Sequence, residues 1–104
     1  DLHSFPTRRS SDLWQRYVGS LAAALGGLDL LVFSGGIGEH APEIRRRICR
    51  NLEFLGIRLD EAANSRNETV ISHRNASTGV RVMKTNEELM IVRETRRVLA
   101  GRQH

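Results

Sequence analysis

The 104-residue sequence predicts a mixed α/β fold, and three observations carry that prediction. An apolar run of strand type, Leu28 to Ser34, empties into the glycine corner Gly35-Gly36-Ile37-Gly38, after which Pro42 opens a helical pattern. A helix-spaced segment precedes that run. Two strand-like segments and another helix-spaced segment follow it, so helices and strands alternate along the chain.

Each element has a local reason. Trp14, Tyr17, Val18, Leu21 and Leu25 fall on one side of a helix, which Gly26-Gly27 stops. Leu28 to Ser34 is apolar apart from Asp29 and Ser34, the pattern of a strand buried on both faces of a parallel sheet. Pro42 suits a first helical turn, where its missing N–H costs nothing. Ile44, Ile48, Leu52 and Leu55 continue at helical spacing until Gly56. Ile57 to Leu59 is a short strand candidate, and Asp60 can cap one turn through Asn64. Thr69 to Ser72 and Val80 to Met83 read as two strands joined by the turn-rich Asn75-Ala76-Ser77-Thr78-Gly79. Thr85-Asn86-Glu87-Glu88 has the form of a capping box. A last helix then carries Leu89, Ile91, Val92, Thr95, Val98 and Leu99, and Gly101 closes it.

Composition narrows the function classes. The net charge is +4 and the pI about 10.5, which raises the question of a nucleic-acid partner. The arginines are interleaved with acids outside Arg45, Arg46, Arg47 and Arg50, and aromatics, the usual stacking platforms, are only 5% of the chain. No nucleic-acid partner is expected, and these four arginines are read as a solvated helix face. No apolar run approaches the roughly 20 residues that span a bilayer, so no membrane partner is expected either. Cys49 is the only cysteine, which rules out an internal disulfide and fits a reducing, cytoplasmic setting. Its place beside Ile48 on a helical stretch marks it as a buried, inert thiol.

Residues 1–13, DLHSFPTRRSSDL, resemble the in-frame translation of a common sequencing adapter and are set aside from the functional reading. Residues 14–104 carry the rest of the argument.

The glycine corner is the most informative stretch. Glycine lets a ligand approach the backbone closely, and the helix beyond it directs unpaired N–H groups toward the same place. Strand–glycine–helix corners of this kind bind nucleotides at the carboxyl ends of strands in α/β sheets. Taken locally, Gly36-Ile37-Gly38-Glu39-His40-Ala41 satisfies G-x-G-x-x-A, and Asp60 follows the next strand candidate. A Rossmann-type NAD(P) site using Gly36, Gly38 and Asp60 is therefore one reading. Against it, Pro42 stiffens the first turn, and an irregular segment with a hairpin follows Asp60 in place of another βα unit.

The wider sequence points elsewhere. VFSGGIGEHAPEIRRRI, LEFLGIRLD with nearby Asn64, VISHRNAS and VMKTNEELMIVRET resemble, in order and spacing, the C-terminal part of acetate kinases. The resemblance runs from Trp14 to Gly101. It implies residues 14–104 as the C-terminal part of a nucleotide-binding domain. The implied fold is part of a ribonuclease-H-like ATPase domain of the actin, sugar-kinase and heat-shock ATPase group. The implied activity is reversible phosphoryl transfer between ATP and acetate, giving ADP and acetyl phosphate. Propionate and butyrate kinases share much of the pattern.

The resemblance also assigns residues. Gly36, Ile37, Gly38, Glu39 and His40 match the loop that contacts the adenosine part of ATP, with His40 where the family often has asparagine. Glu87, first glutamate of TNEEL, matches a carboxylate that helps hold Mg²⁺, a hard cation suited to oxygen ligands. Glu88 is the capping-box partner of Thr85, and Asn86 is placed to orient Glu87. The family's carboxylate-binding arginines, catalytic aspartate, transition-state histidine and phosphate loops precede the matched segment. No catalytic residue is therefore assigned in this chain. The complete enzyme is expected to be a cytoplasmic homodimer, and this chain by itself to be inactive.

Overall fold

The computed structural model describes residues 8–34, 42–83, 89–93 and 96–100. Its centre is strand β1 (Leu30–Ser34), the second half of the apolar run. Leu31 and Phe33 are fully buried and Val32 and Ser34 nearly so, so both faces of the strand are covered, as its continuous apolar character requires. Strand β2 (Gly79–Met83) lies parallel to one edge of β1, with Leu31 opposite Val80 and Ser34 opposite Met83. Strand β3 (Leu89–Arg93) lies antiparallel on the other edge, with Leu31 opposite Ile91 and Phe33 opposite Leu89. Strand β4 (Arg96–Ala100) pairs antiparallel with β3, giving the order β2-β1-β3-β4. This is the mixed α/β architecture that the alternating pattern predicts.

Helix α1 (Arg8–Leu25) begins upstream of Trp14 and ends where Gly26 and Gly27 take positive φ, with Gly27 N–H bonded to the Ala22 carbonyl. Its Trp14, Val18 and Ala22 enter the core, one turn apart each time. Trp14 meets Tyr17 edge-to-face at 6.0 Å between ring centroids. Helix α2 (Pro42–Cys49) packs beside α1 and sends Ile48 and Cys49 into the same core. Gln15 of α1 donates to the carbonyls of Arg47 and Arg50, two groups that the end of α2 leaves without helical partners.

Three expectations change. The helix after Pro42 does not run to Leu55: it ends at Cys49, Asn51 turns left-handed at φ 66°, and a separate 3₁₀ turn spans Glu53–Leu55. Asparagine tolerates that conformation better than most residues, so the chain redirects there and still buries Leu52. Ile57–Leu59 and Thr69–Ser72 are not full strands. Leu59 bridges Ser72. The expected hairpin keeps its second strand, which is held to the first arm by the antiparallel Val70–Arg81 bridge and by the bonds Ile71 N–H to Val80 carbonyl and Val82 N–H to Thr69 carbonyl.

The largest difference is at the C-terminal end. Leu89 to Leu99 carries helical spacing, yet the structure forms the β3–β4 pair there. The run is rich in β-branched residues, and periodicity alone does not separate short apolar helices from strands. Pairing with the second edge of β1 satisfies its backbone and fully buries Ile91. The capping box Thr85-Asn86-Glu87-Glu88 lies outside the described residues.

Helix α3 (Glu61–Ser65) follows Asp60, whose Oδ1 accepts from Ala63 N–H at 3.1 Å, the predicted cap. The far end of the sheet is held by Thr78. Its hydroxyl lies 2.7 Å from the Leu55 carbonyl and 3.1 Å from that of Leu28, while its N–H donates to Gly56. Gly56 sits at φ 87°, and a Cβ there would overlap Ser77 Oγ and lie 2.9 Å from Thr78 Oγ1. Strain and overlap act together, so Gly56→Ala is expected to cost about 2–3 kcal/mol in urea-unfolding measurements. Ala at Gly19, which meets nothing nearby, should cost no stability.

Candidate functional site

The site is built at one end of the sheet. β1 and β2 run parallel and both finish there, at Ser34 and Met83. β3 runs the other way, so its first residue, Leu89, lies opposite Phe33 at that same end. Residues 35–41 join Ser34 to α2, and residues 84–88 join Met83 to β3. Both connections thus start at the carboxyl end of the parallel pair, where α/β sheets place their ligands, and the second also ends there. The predicted nucleotide residues Gly36, Ile37, Gly38, Glu39 and His40, and the predicted metal residue Glu87, lie outside the described residues. The described residues that precede the two segments, Ser34 and Met83, lie opposite each other at that sheet end.

The described flank of this site is α2, and its interior is unexpectedly charged. Arg45 is fully buried, which corrects its placement on a solvated helix face. Its Nε donates to Asn64 Oδ1 at 2.7 Å, and its Nη2 donates to the Asn64 carbonyl at 2.8 Å and to Asn67 Oδ1 at 2.5 Å. Burial draws the guanidinium down to about 10, still far above neutral pH, so the charge stays. Asn64 is also fully buried and donates from Nδ2 to the Pro42 carbonyl at 2.9 Å. Each end of that amide thus has a distinct partner, which fixes its orientation chemically.

A signal for Arg45 exists in the sequence. Arg45 precedes Ile48 by three positions, Cys49 by four and Leu52 by seven, so helical geometry puts it on the face that enters the core. The other arginines do face outward. Arg46 pairs with Glu43 and, at 2.8 Å, with Glu61, while Arg47 meets Glu43 at 3.2 Å. Arg50 is exposed. Cys49 is buried as expected, and burial pushes its thiol up to about 12.

Asp60 does not serve a dinucleotide. Its carboxylate caps α3, and the preceding Ile57–Leu59 is not a strand beside β1. The strand that lies parallel beside β1 is β2, whose carboxyl end, where a ribose-binding acid would stand, is Met83, and Asp60 precedes that strand by 19 residues. Among the described residues, no three His, Cys, Asp or Glu side chains converge on a potential metal. No described helix is long and apolar enough to cross a membrane.

Comparison with known proteins agrees with this geometry. A profile of the acetokinase family matches residues 11–93. The chain belongs to the acetokinase family. It is 47% identical over 88 residues to the acetate kinase of Coprothermobacter proteolyticus, covering 84% of this chain and 22% of that protein. It is 52% identical over 81 residues to a propionate kinase of Citrobacter rodentium, covering 78% and 20%. The crystal structure of Porphyromonas gingivalis acetate kinase aligns with TM-score 0.69 at 38% identity, covering 75% of this chain and 20% of that one. Entamoeba histolytica acetate kinase aligns with TM-score 0.67 at 29% identity, covering 75% and 21%. The acetokinase segment described here therefore spans about a fifth of the length of its relatives. Its fold is that of the actin, sugar-kinase and heat-shock ATPase group, as the resemblance implied.

Two outcomes test the buried cluster. Arg45→Met leaves the Asn64 and Asn67 oxygens without this donor and should cost about 3–5 kcal/mol in urea unfolding, whereas Arg47→Ala should change stability by about 0.5 kcal/mol or less. Cys49 should resist iodoacetamide at pH 8 until urea unfolds the chain, and rapid alkylation of the native protein would contradict its burial. The raised folded pKa also has a sign. Its contribution to stability is full below the ordinary value of 9.0 and fades as pH climbs from there toward about 12.

Proposed function

We propose that residues 14–104 form the C-terminal part of the nucleotide-binding domain of an ATP-dependent acetate kinase. The complete enzyme transfers phosphoryl groups reversibly between ATP and acetate, giving ADP and acetyl phosphate. One observation supports the reading: the register by which the connections after β1 and β2 start from paired residues, Ser34 and Met83, at the same sheet end. In this reading Gly36, Ile37, Gly38, Glu39 and His40 take the adenosine part of the nucleotide. Glycine backbone lies against the flat base or ribose, Ile37 offers an apolar surface, and His40 a hydrogen bond. His40 acts as a contact and not as the catalytic base.

Glu87 supports Mg²⁺ from the neighbouring connection. A single carboxylate suits this ion, which takes most of its remaining ligands from phosphate oxygens and water. When bound, the ion spreads the charge that develops on the transferred phosphoryl group. The residues of this chain contribute by holding the nucleoside in place.

The relatives include acetate and propionate kinases at similar identity, so the acceptor is a short-chain carboxylate with acetate as the first choice. The complete enzyme is proposed to be a cytoplasmic homodimer. No catalytic residue is assigned within this chain, so the purified chain should give no acetate-dependent ADP formation. It should still bind Mg-ATP, measured by titration calorimetry. Gly38→Val should weaken nucleotide binding about tenfold or more by blocking the close approach, and Glu87→Gln should remove most of the gain that Mg²⁺ confers. Undiminished Mg-ATP binding by both variants would remove the support for this assignment.

A further inference from the structure

The loop proposed to contact adenosine returns to described structure at Pro42, the first residue of α2. That residue is tied to α3 and not only to its own helix. Asn64 Nδ2 reaches the Pro42 carbonyl at 2.9 Å, while Arg45 Nε holds Asn64 Oδ1 from the opposite side at 2.7 Å. Arg45 is anchored again by the Asn64 carbonyl and Asn67 Oδ1. Arg45 and Asn64 are both fully buried, so neither makes these bonds in competition with bulk water.

We propose that Asn64, held by Arg45, is a positioning residue for the nucleotide: it fixes the start of α2 and hence the placement of the glycine loop that leads into it. This rests on the adenosine-loop reading above. The physical need is clear, because a backbone that meets its ligand directly has no side chain to absorb an error in position. The bond from Asn64 to the Pro42 carbonyl restrains the first turn of α2 from a second element, independently of the helix's own hydrogen bonds. The Asn64 amide is suited to the task because it accepts at one end and donates at the other. A carboxylate in its place keeps the pairing with Arg45 but turns the donor to Pro42 into an acceptor.

That asymmetry gives the test. The 104-residue chain is titrated with Mg-ADP by calorimetry, and the ¹H–¹⁵N signals of Gly36 and Gly38 are followed alongside thermal unfolding. Asn64→Asp should retain a folded spectrum and bind Mg-ADP about tenfold more weakly, with altered Gly36 and Gly38 signals before any nucleotide is added. Asn67→Gly is the structural control. It removes one anchor of Arg45 at a position whose φ of 54° glycine accepts, and leaves the Asn64–Pro42 bond in place. It should lower the melting temperature while keeping Mg-ADP affinity within about twofold of the unsubstituted chain. If Asn64→Asp fails to fold, Asn64→Ser, which also lacks the amide donor, takes its place in the same comparison.

Equal Mg-ADP binding by the Asn64 variant and the unsubstituted chain would overturn the proposal. So would weakening by the Asn64 and Asn67 variants in proportion to their lost stability. Ile37→Ala separates the two levels of inference. If it weakens Mg-ADP binding while the Asn64 variant does not, the positioning role alone fails. If neither it nor the unsubstituted chain shows specific binding, the adenosine-loop reading fails and the positioning role with it.

Discussion

Strand β1 is the constraint on which the rest of the structure depends. Both of its faces are buried and both of its edges are paired, parallel to β2 and antiparallel to β3. A strand so enclosed must be apolar nearly throughout, because every polar side chain within it would need a buried partner. It also fixes geometry beyond itself. Once β1 is placed, the ends of β2 and β3 follow from hydrogen-bond register, and the two connections proposed to meet nucleotide and metal leave the same sheet end. The chemistry of the site is thus set up by backbone pairing some residues away from any ligand.

The second organising feature is a charge in the interior. Burying a guanidinium carries a desolvation cost of several kcal/mol, and only well-directed hydrogen bonds offset it. Arg45 meets that requirement with neutral acceptors on Asn64 and Asn67, which couple α2 to α3. An apolar residue of similar volume would fill the space without dictating a direction. The planar fork of arginine instead demands oxygens at defined positions, and so restrains how the two helices approach. The exposed pairs of Arg46 and Arg47 with Glu43 contribute little beside it, since solvent and side-chain entropy weaken them.

The relation between sequence and structure differs from element to element. β1, the start of α2 at Pro42 and the Asp60 cap were readable because each has a local cause: continuous apolarity, a fixed proline φ and a carboxylate one turn before an N–H. The buried position of Arg45 was readable as well, from its spacing to Ile48, Cys49 and Leu52, but its charge argued for solvent. The asparagines that make its burial tolerable lie on another element, 19 and 22 residues away. Leu89 to Leu99 failed for another reason. Its spacing fits a helix, while its β-branched content and the open edge of β1 favour strands, and the edge prevailed.

By itself, the sequence determined the mixed α/β class, the glycine corner with the helix beyond it, and membership of the acetokinase family. These rest on local chemistry and on motif order, which survive without coordinates. Only the tertiary structure decided that the C-terminal segment pairs with β1 and that Arg45 is a core residue. The reason is common to both. Each depends on which distant group supplies the hydrogen-bond partner, and partners separated in sequence are chosen by packing.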